Sequence, residues 1–105
     1  MKINGKELEF KITNIRHAAN YEAALNNMQK AEGEIRELAK ESKTVVPIYQ
    51  AFIDMLRTFF VDATGCDVLE GCEDYSDAQK VYRDFLTAVN LQKTESFAMY
   101  SPDVK

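Results

Sequence analysis

Three side chains in this sequence have the chemistry of a nucleophile, a general base or a soft metal ligand: His17, Cys66 and Cys72. The histidine is the sole one in the chain and stands far from both cysteines in sequence. The cysteines are six residues apart, which is neither a C-x-x-C redox pair nor a familiar zinc spacing. Their flanks, Asp67, Glu70, Glu73 and Asp74, are acidic, and negative neighbours disfavour a thiolate. A Cys–His catalytic pair also needs a third residue to orient the base, and none announces itself. The expectation is a structural histidine and two reduced thiols, with no catalytic residue and no metal site.

Carboxylates gather between Asp67 and Asp77. Calcium would require oxygen ligands at alternating positions closed by a bidentate carboxylate, and Asp67-Val-Leu-Glu-Gly-Cys-Glu-Asp lacks that spacing. Helix capping and solvation account for the cluster. The glycines are isolated, so no phosphate-cradling loop is present and no cofactor is expected. The aromatic residues are the remaining candidates. Tyr49, Phe52, Phe59 and Phe60 fall on one helical segment and Tyr82 on another. Aromatics at helical spacing belong first to a core. Those of the first segment, however, occupy more arc than one thin neighbouring helix can cover, so Tyr49, Phe52, Phe59, Phe60 and Tyr82 are the candidate partner-binding residues.

A chain of 105 residues has length for one core. Thirteen basic and seventeen acidic residues give a net charge of −4, with the signs interspersed. No basic stripe is available to displace counterions from a nucleic-acid backbone, so no nucleic-acid partner is expected. The longest apolar stretch, 45–61, contains Pro47, Gln50, Asp54 and Arg57 and is too short and too charged for a bilayer. The opening Met1-Lys2-Ile3-Asn4-Gly5 has no apolar core of a signal peptide. A cytoplasmic protein with reduced cysteines is expected.

The elements that would position these residues are mainly helical. Asn4-Gly5 is the favoured pair for a two-residue type I′ turn, because both positions require φ > 0. It predicts a hairpin over 1–12 in which Ile3 faces Lys6, Lys2 faces Glu7 and Met1 faces Leu8. One face then carries Met1, Ile3, Leu8, Phe10 and Ile12, with Phe10 and Ile12 expected on helix 46–64. Apolar spacings of three and four (Tyr21, Leu25, Met28, Ile35, Leu38, Ala39) predict a helix over about 14–43, capped by Thr13 or Asn14. Its charged second half, Lys30 to Lys43, would project from the body. Pro47 suits the first turn of a strongly apolar helix, 46–64, and Gly65 its left-handed stop. After a connector over 65–75, Ser76 and Gln79 fit a capping box opening a helix to about Gln92. The fold class is mainly α (α+β), an N-terminal β-hairpin followed by about three helices packed as a small bundle. Residues 1–93 would form the domain and 94–105, with Pro102, a flexible C-terminal tail.

Read together, the opening Met-Lys-Ile-Asn-Gly-Lys-Glu, the long helix, the apolar helix closed by glycine, Val68-Leu69-Glu70-Gly71 and Tyr82-Arg83-Asp84-Phe85-Leu86 resemble the tail assembly chaperones of long-tailed bacteriophages and related prophage proteins. The resemblance spans most of residues 1–92, although the first helix is richer in charge and alanine and the loop before Ser76 shorter than the family pattern. It implies a non-enzymatic protein, in several weakly associated copies, that coats the tape-measure protein until tail-tube subunits replace it. Two other readings are a small structural phage component, such as a head–tail joining protein, and a small antitoxin-like regulator. The regulator would need a basic recognition helix, and none is evident.

Overall fold

The computed structural model describes residues 1–98 of the chain. Strands β1 (Lys2–Ile3) and β2 (Lys6–Glu7) pair antiparallel in the register the turn dictates, Lys2 opposite Glu7 and Ile3 opposite Lys6. Asn4 and Gly5 have φ of 52° and 78°, the left-handed values that a type I′ turn demands of both central residues. Met1 and Leu8 extend the pairing, with Leu8 N–H donating to the Met1 carbonyl at 2.7 Å. The ladder ends there, short of the expected 1–12, because residues 9–12 have no strand opposite them. Their backbone is satisfied by a side chain instead: Ile12 N–H donates to Gln92 Oε1 at 2.8 Å, and Gln92 Nε2 donates to the Phe10 carbonyl at 3.1 Å. The side-chain alternation nevertheless persists, so Ile3, Leu8 and Phe10 are all buried.

Helix α1 (Ile15–Glu41) begins at Asn14, whose side chain accepts from the N–H groups of Arg16 and His17. That bond satisfies donors with no partner inside the helix. Residues 42–45 turn the chain into α2 (Val46–Thr64), which has Pro47 in its first turn and ends at Gly65 with φ of 76°. The longest helix–helix contact is α1 on α2. Ala24, only 1% exposed, lies on the buried face of α1, where a small side chain permits close approach to α2. Leu25 and Met28 pack around the core while Leu38 and Ala39 face solvent.

The connector is part of the core rather than a surface link. Val68 and Leu69 are buried, with a turn over 68–71 in which Cys72 N–H donates to the Leu69 carbonyl. Helix α3 (Tyr75–Ala98) starts two residues earlier than the capping box requires. Asp74, not Ser76, is the cap: its Oδ1 accepts from Ser76 N–H, Ser76 Oγ and Asp77 N–H. Gln79 does not reach back to the cap but donates to the Tyr75 hydroxyl at 3.1 Å. The helix also outruns its expected end at Gln92, because nothing in 93–98 breaks it and the Thr94 hydroxyl is satisfied by the Asn90 carbonyl. Of the expected tail 94–105, the first five residues are therefore helical, and 99–105 lie outside the described residues.

The three helices meet in an aromatic core. Phe85 lies 5.3–6.0 Å, centroid to centroid, from Phe10, Tyr21, Phe59 and Phe60, each ring edge to face, the arrangement that a ring quadrupole prefers. Phe10 makes its ring contacts with His17 and Tyr21 of α1 and with Phe85 of α3. Ile12 is tied to α3 through Gln92. The post-hairpin segment thus bridges α1 and α3, and Phe10 joins the core cluster that holds Phe59, Phe60 and Ala63 of α2, the helix on which it was expected. The molecule measures 58 × 27 × 24 Å along its principal axes.

Candidate partner-binding surface

The residues with chemical potential are each held in a structural role. His17 stacks on Phe10 at 5.8 Å, and its Nδ1 accepts the Lys11 N–H at 3.0 Å, which stitches the post-hairpin segment to α1. Cys66 and Cys72 are free thiols, both half-buried, and Cys72 Sγ donates to the Asp74 carbonyl. Asp67 accepts a fork of bonds from Arg57, at 3.1 and 3.3 Å from Nε and 2.6 Å from Nη2. The Arg57 guanidinium holds the Asp67 carboxyl below the ordinary aspartate range. Asp74 is likewise lowered, chiefly by the Ser76 hydroxyl and N–H. Glu70 pairs with Lys6 at 3.6 Å. Lys6 also donates to the Asp67 carbonyl, and Asn4 Nδ2 donates to the Val68 carbonyl at 2.7 Å, so the hairpin tip is riveted to the connector. Among the described residues, no group of three or more His, Cys, Asp or Glu side chains is placed to hold a metal ion.

The aromatic candidates divide. Phe59 and Phe60 are 1% and 0% exposed, so they build the core and are unavailable to a partner. Two helices supply the cover that one could not, through Tyr21 of α1 and Tyr82 and Phe85 of α3. Tyr82 is half-buried against Phe59, edge to face at 5.2 Å. Burial raises its hydroxyl pKa, with smaller contributions from Tyr21 and Glu32. Phe52 and Tyr49 lie together on the outside of α2. Both stack on Tyr75, at 5.0 Å and 15° for Phe52 and 5.6 Å and 29° for Tyr49. Three near-parallel rings thus form a strip, and Tyr49 is 48% exposed. Beside it lies a shallow hollow of about 540 Å³ lined by Tyr49, Tyr75, Glu73, Asp74, Ser76 and Gln79. A second groove, about 420 Å³, opens between the start of α1 and the end of α3, with Ile12, Ala18, Tyr21 and Phe97 among its walls. Lys93 Nζ stands 5.9 Å from the centre of the Tyr21 ring.

A family model matches residues 4–104, from the hairpin turn past the end of α3. The chain belongs to DUF6673. This is a family of unknown function, and neither the curated proteins nor the solved structures contain a match to the chain. In this DUF6673 protein the match takes in the turn and second strand of the hairpin, the connector and all three helices. The residues that sequence reasoning missed lie where periodicity is silent. Tyr75 reads as a connector residue but is the middle ring of the strip. Val45 and Val46, 61% and 73% exposed, read as the edge of an apolar helix; the signal for their exposure was their place at its start, Val45 as the cap and Val46 as the first residue of α2. No helix among the described residues of the DUF6673 chain is long and apolar enough to cross a membrane.

Proposed function

We propose that this DUF6673 protein is a non-enzymatic assembly protein of a bacteriophage or prophage, a tail assembly chaperone. In this reading it binds and solubilises the tape-measure protein in the bacterial cytoplasm, in several weakly associated copies, until tail-tube subunits take its place. The observation that carries the reading is the interlocking of the segments that resemble that family. The Asn4-Gly5 turn bonds to Val68, Lys6 bridges Asp67 and Glu70, and Ile3, Leu69 and Phe85 share one core. With those motifs committed to the scaffold, recognition falls to apolar side chains left outside it. The strip of Phe52, Tyr75 and Tyr49 is such a surface, and so is the groove walled by Ile12, Ala18 and Tyr21. Either suits the apolar face of an amphipathic helix, the recurrent element of a long fibrous partner.

The test is binding of the purified chain to the tape-measure protein encoded in the same genome. The expected outcome is a complex that Tyr49→Ser weakens by about tenfold, the usual cost of truncating an interfacial aromatic, while the circular dichroism spectrum stays unchanged. Absence of a complex at about 1 mM, equivalent to a contribution of only a few kcal/mol, contradicts the reading.

A further inference from the structure

We propose that His17 is a proton-operated latch. Its neutral ring fastens residues 9–12 to α1, and a proton on Nδ1 parts that segment from α1 and loosens the groove between α1 and α3. The latch is independent of tape-measure binding.

Residues 9–12 belong to no strand and are held from two sides. On the α3 side, Gln92 Oε1 accepts the Ile12 N–H and Gln92 Nε2 donates to the Phe10 carbonyl, at 2.8 and 3.1 Å. On the α1 side, the Lys11 N–H donates to His17 Nδ1 at 3.0 Å. The two anchors differ in chemistry. A side-chain amide keeps its donor and its acceptor whatever the pH, and an imidazole does not. A ring nitrogen accepts a hydrogen bond only while it carries no proton, so this bond requires neutral His17 with its hydrogen on Nε2. Imidazoles take up a proton between about pH 8 and about pH 5, and both ring nitrogens are then donors. The Lys11 N–H would face a second donor.

The surroundings direct the charged ring. A hollow beside it is lined by Glu9 of the segment, Arg16 of α1 and Asp62 of α2. His17 is also the third residue of α1, where free N–H groups carry partial positive charge. The Lys11 N–H, the start of α1 and Arg16 repel a positive ring, while Asp62 and Glu9 attract it. Protonation therefore swings the imidazole away from the Lys11 N–H. Glu9 is exposed, and a solvent-facing ion pair with it is too weak to replace the lost bond. The consequence reaches the groove, of about 420 Å³, because Ile12 and Thr13 directly follow Lys11 and form part of its wall. Ala18 and Tyr21, one and four residues beyond His17 on α1, line it too. Fastened to both helices, the segment fixes the groove's width; held by Gln92, it follows α3. Phe10 remains among the rings of Tyr21 and Phe85, so the opening is local and the fold persists.

Nuclear magnetic resonance on the nitrogen-15-labelled full chain tests this, from about pH 8 to about pH 5.5, above the isoelectric point of about 5.0. The neutral ring should be the Nε2–H tautomer. As it gains its proton, the protection of the Lys11 amide against hydrogen exchange, corrected for the intrinsic effect of pH, should fall about fivefold, the weight of one hydrogen bond. The amide shifts of Ile12 and Ala18 should titrate with the same midpoint as the His17 ring. His17→Asn, whose side-chain oxygen offers an acceptor that does not titrate, should keep Lys11 protected across the range. His17→Phe, a ring with no acceptor, should leave Lys11 at the lower protection throughout. A neutral ring with its hydrogen on Nδ1, or Lys11 protection that is unchanged while His17 titrates, overturns the proposal. So does release of Lys11 with the Ile12 and Ala18 shifts unmoved. A pH response that persists in His17→Asn also overturns it, by giving the effect to Glu9 or Asp62.

Discussion

Phe10 is 3% exposed and touches rings from two helices, yet it sits outside any strand. Its burial therefore rests on two side chains that hold the neighbouring backbone, Gln92 and His17, and on the face that the hairpin register sets. Phe10→Ala should destabilise the fold by about 3–5 kcal/mol, the range for a truncated core aromatic, read as a shift in the urea midpoint. An unchanged midpoint would mean that the segment is not docked. Asp67 makes a pH prediction. Its carboxyl is lowered from the ordinary 3.8 by Arg57, so the folded state binds this proton less readily than the unfolded state does. The resulting stability is present above the ordinary value and is lost as pH falls through the lowered one. Below about pH 4 the melting temperature should fall less steeply in Asp67→Asn than in the parent chain. Parallel acid limbs would contradict the pairing.

At the scale of elements, the start of α3 separates two capping schemes that use neighbouring residues. Asp74 receives three donors, whereas Ser76 supplies two of them, its N–H and its hydroxyl. Asp74→Ala should therefore lower the melting temperature more than Ser76→Ala does; the reverse order would restore Ser76 as the cap. The sequence pattern S-x-x-Q points to Ser76 because it scores residue types, while Asp74 wins on charge: a carboxylate at a helix N-terminus accepts more strongly than a hydroxyl. The same distinction runs through the chain. Asn4-Gly5, Asn14, Pro47 and Gly65 mark their boundaries because each acts through its own backbone or its nearest neighbours. The length of the β ladder, the burial of Val68 and Leu69, and the stacking of Tyr75 depend on contacts between distant segments. Local periodicity carries no record of those. For that reason Phe59 and Phe60 read as candidates for a partner when Tyr21, Tyr82 and Phe85 in fact pack against them.

For the whole molecule, the balance between core and surface decides what it can do. One aromatic core ties the hairpin, the connector and α3 to the base of α2, while the α1–α2 arm extends the body to 58 Å. Large apolar side chains remain exposed on the arm, at Val45, Val46 and Tyr49, and near the other end, at Ile15 and Phe97. Such a body can lie along an extended helix and touch it at separated points, which suits a chaperone that coats a long partner. The most direct measurement is the soluble fraction of the tape-measure protein expressed alone and together with this chain. The account predicts that co-expression moves it from the pellet into a soluble complex containing several copies of the chain. A tape-measure protein equally insoluble in both cultures, with this chain recovered free of it, would contradict the account.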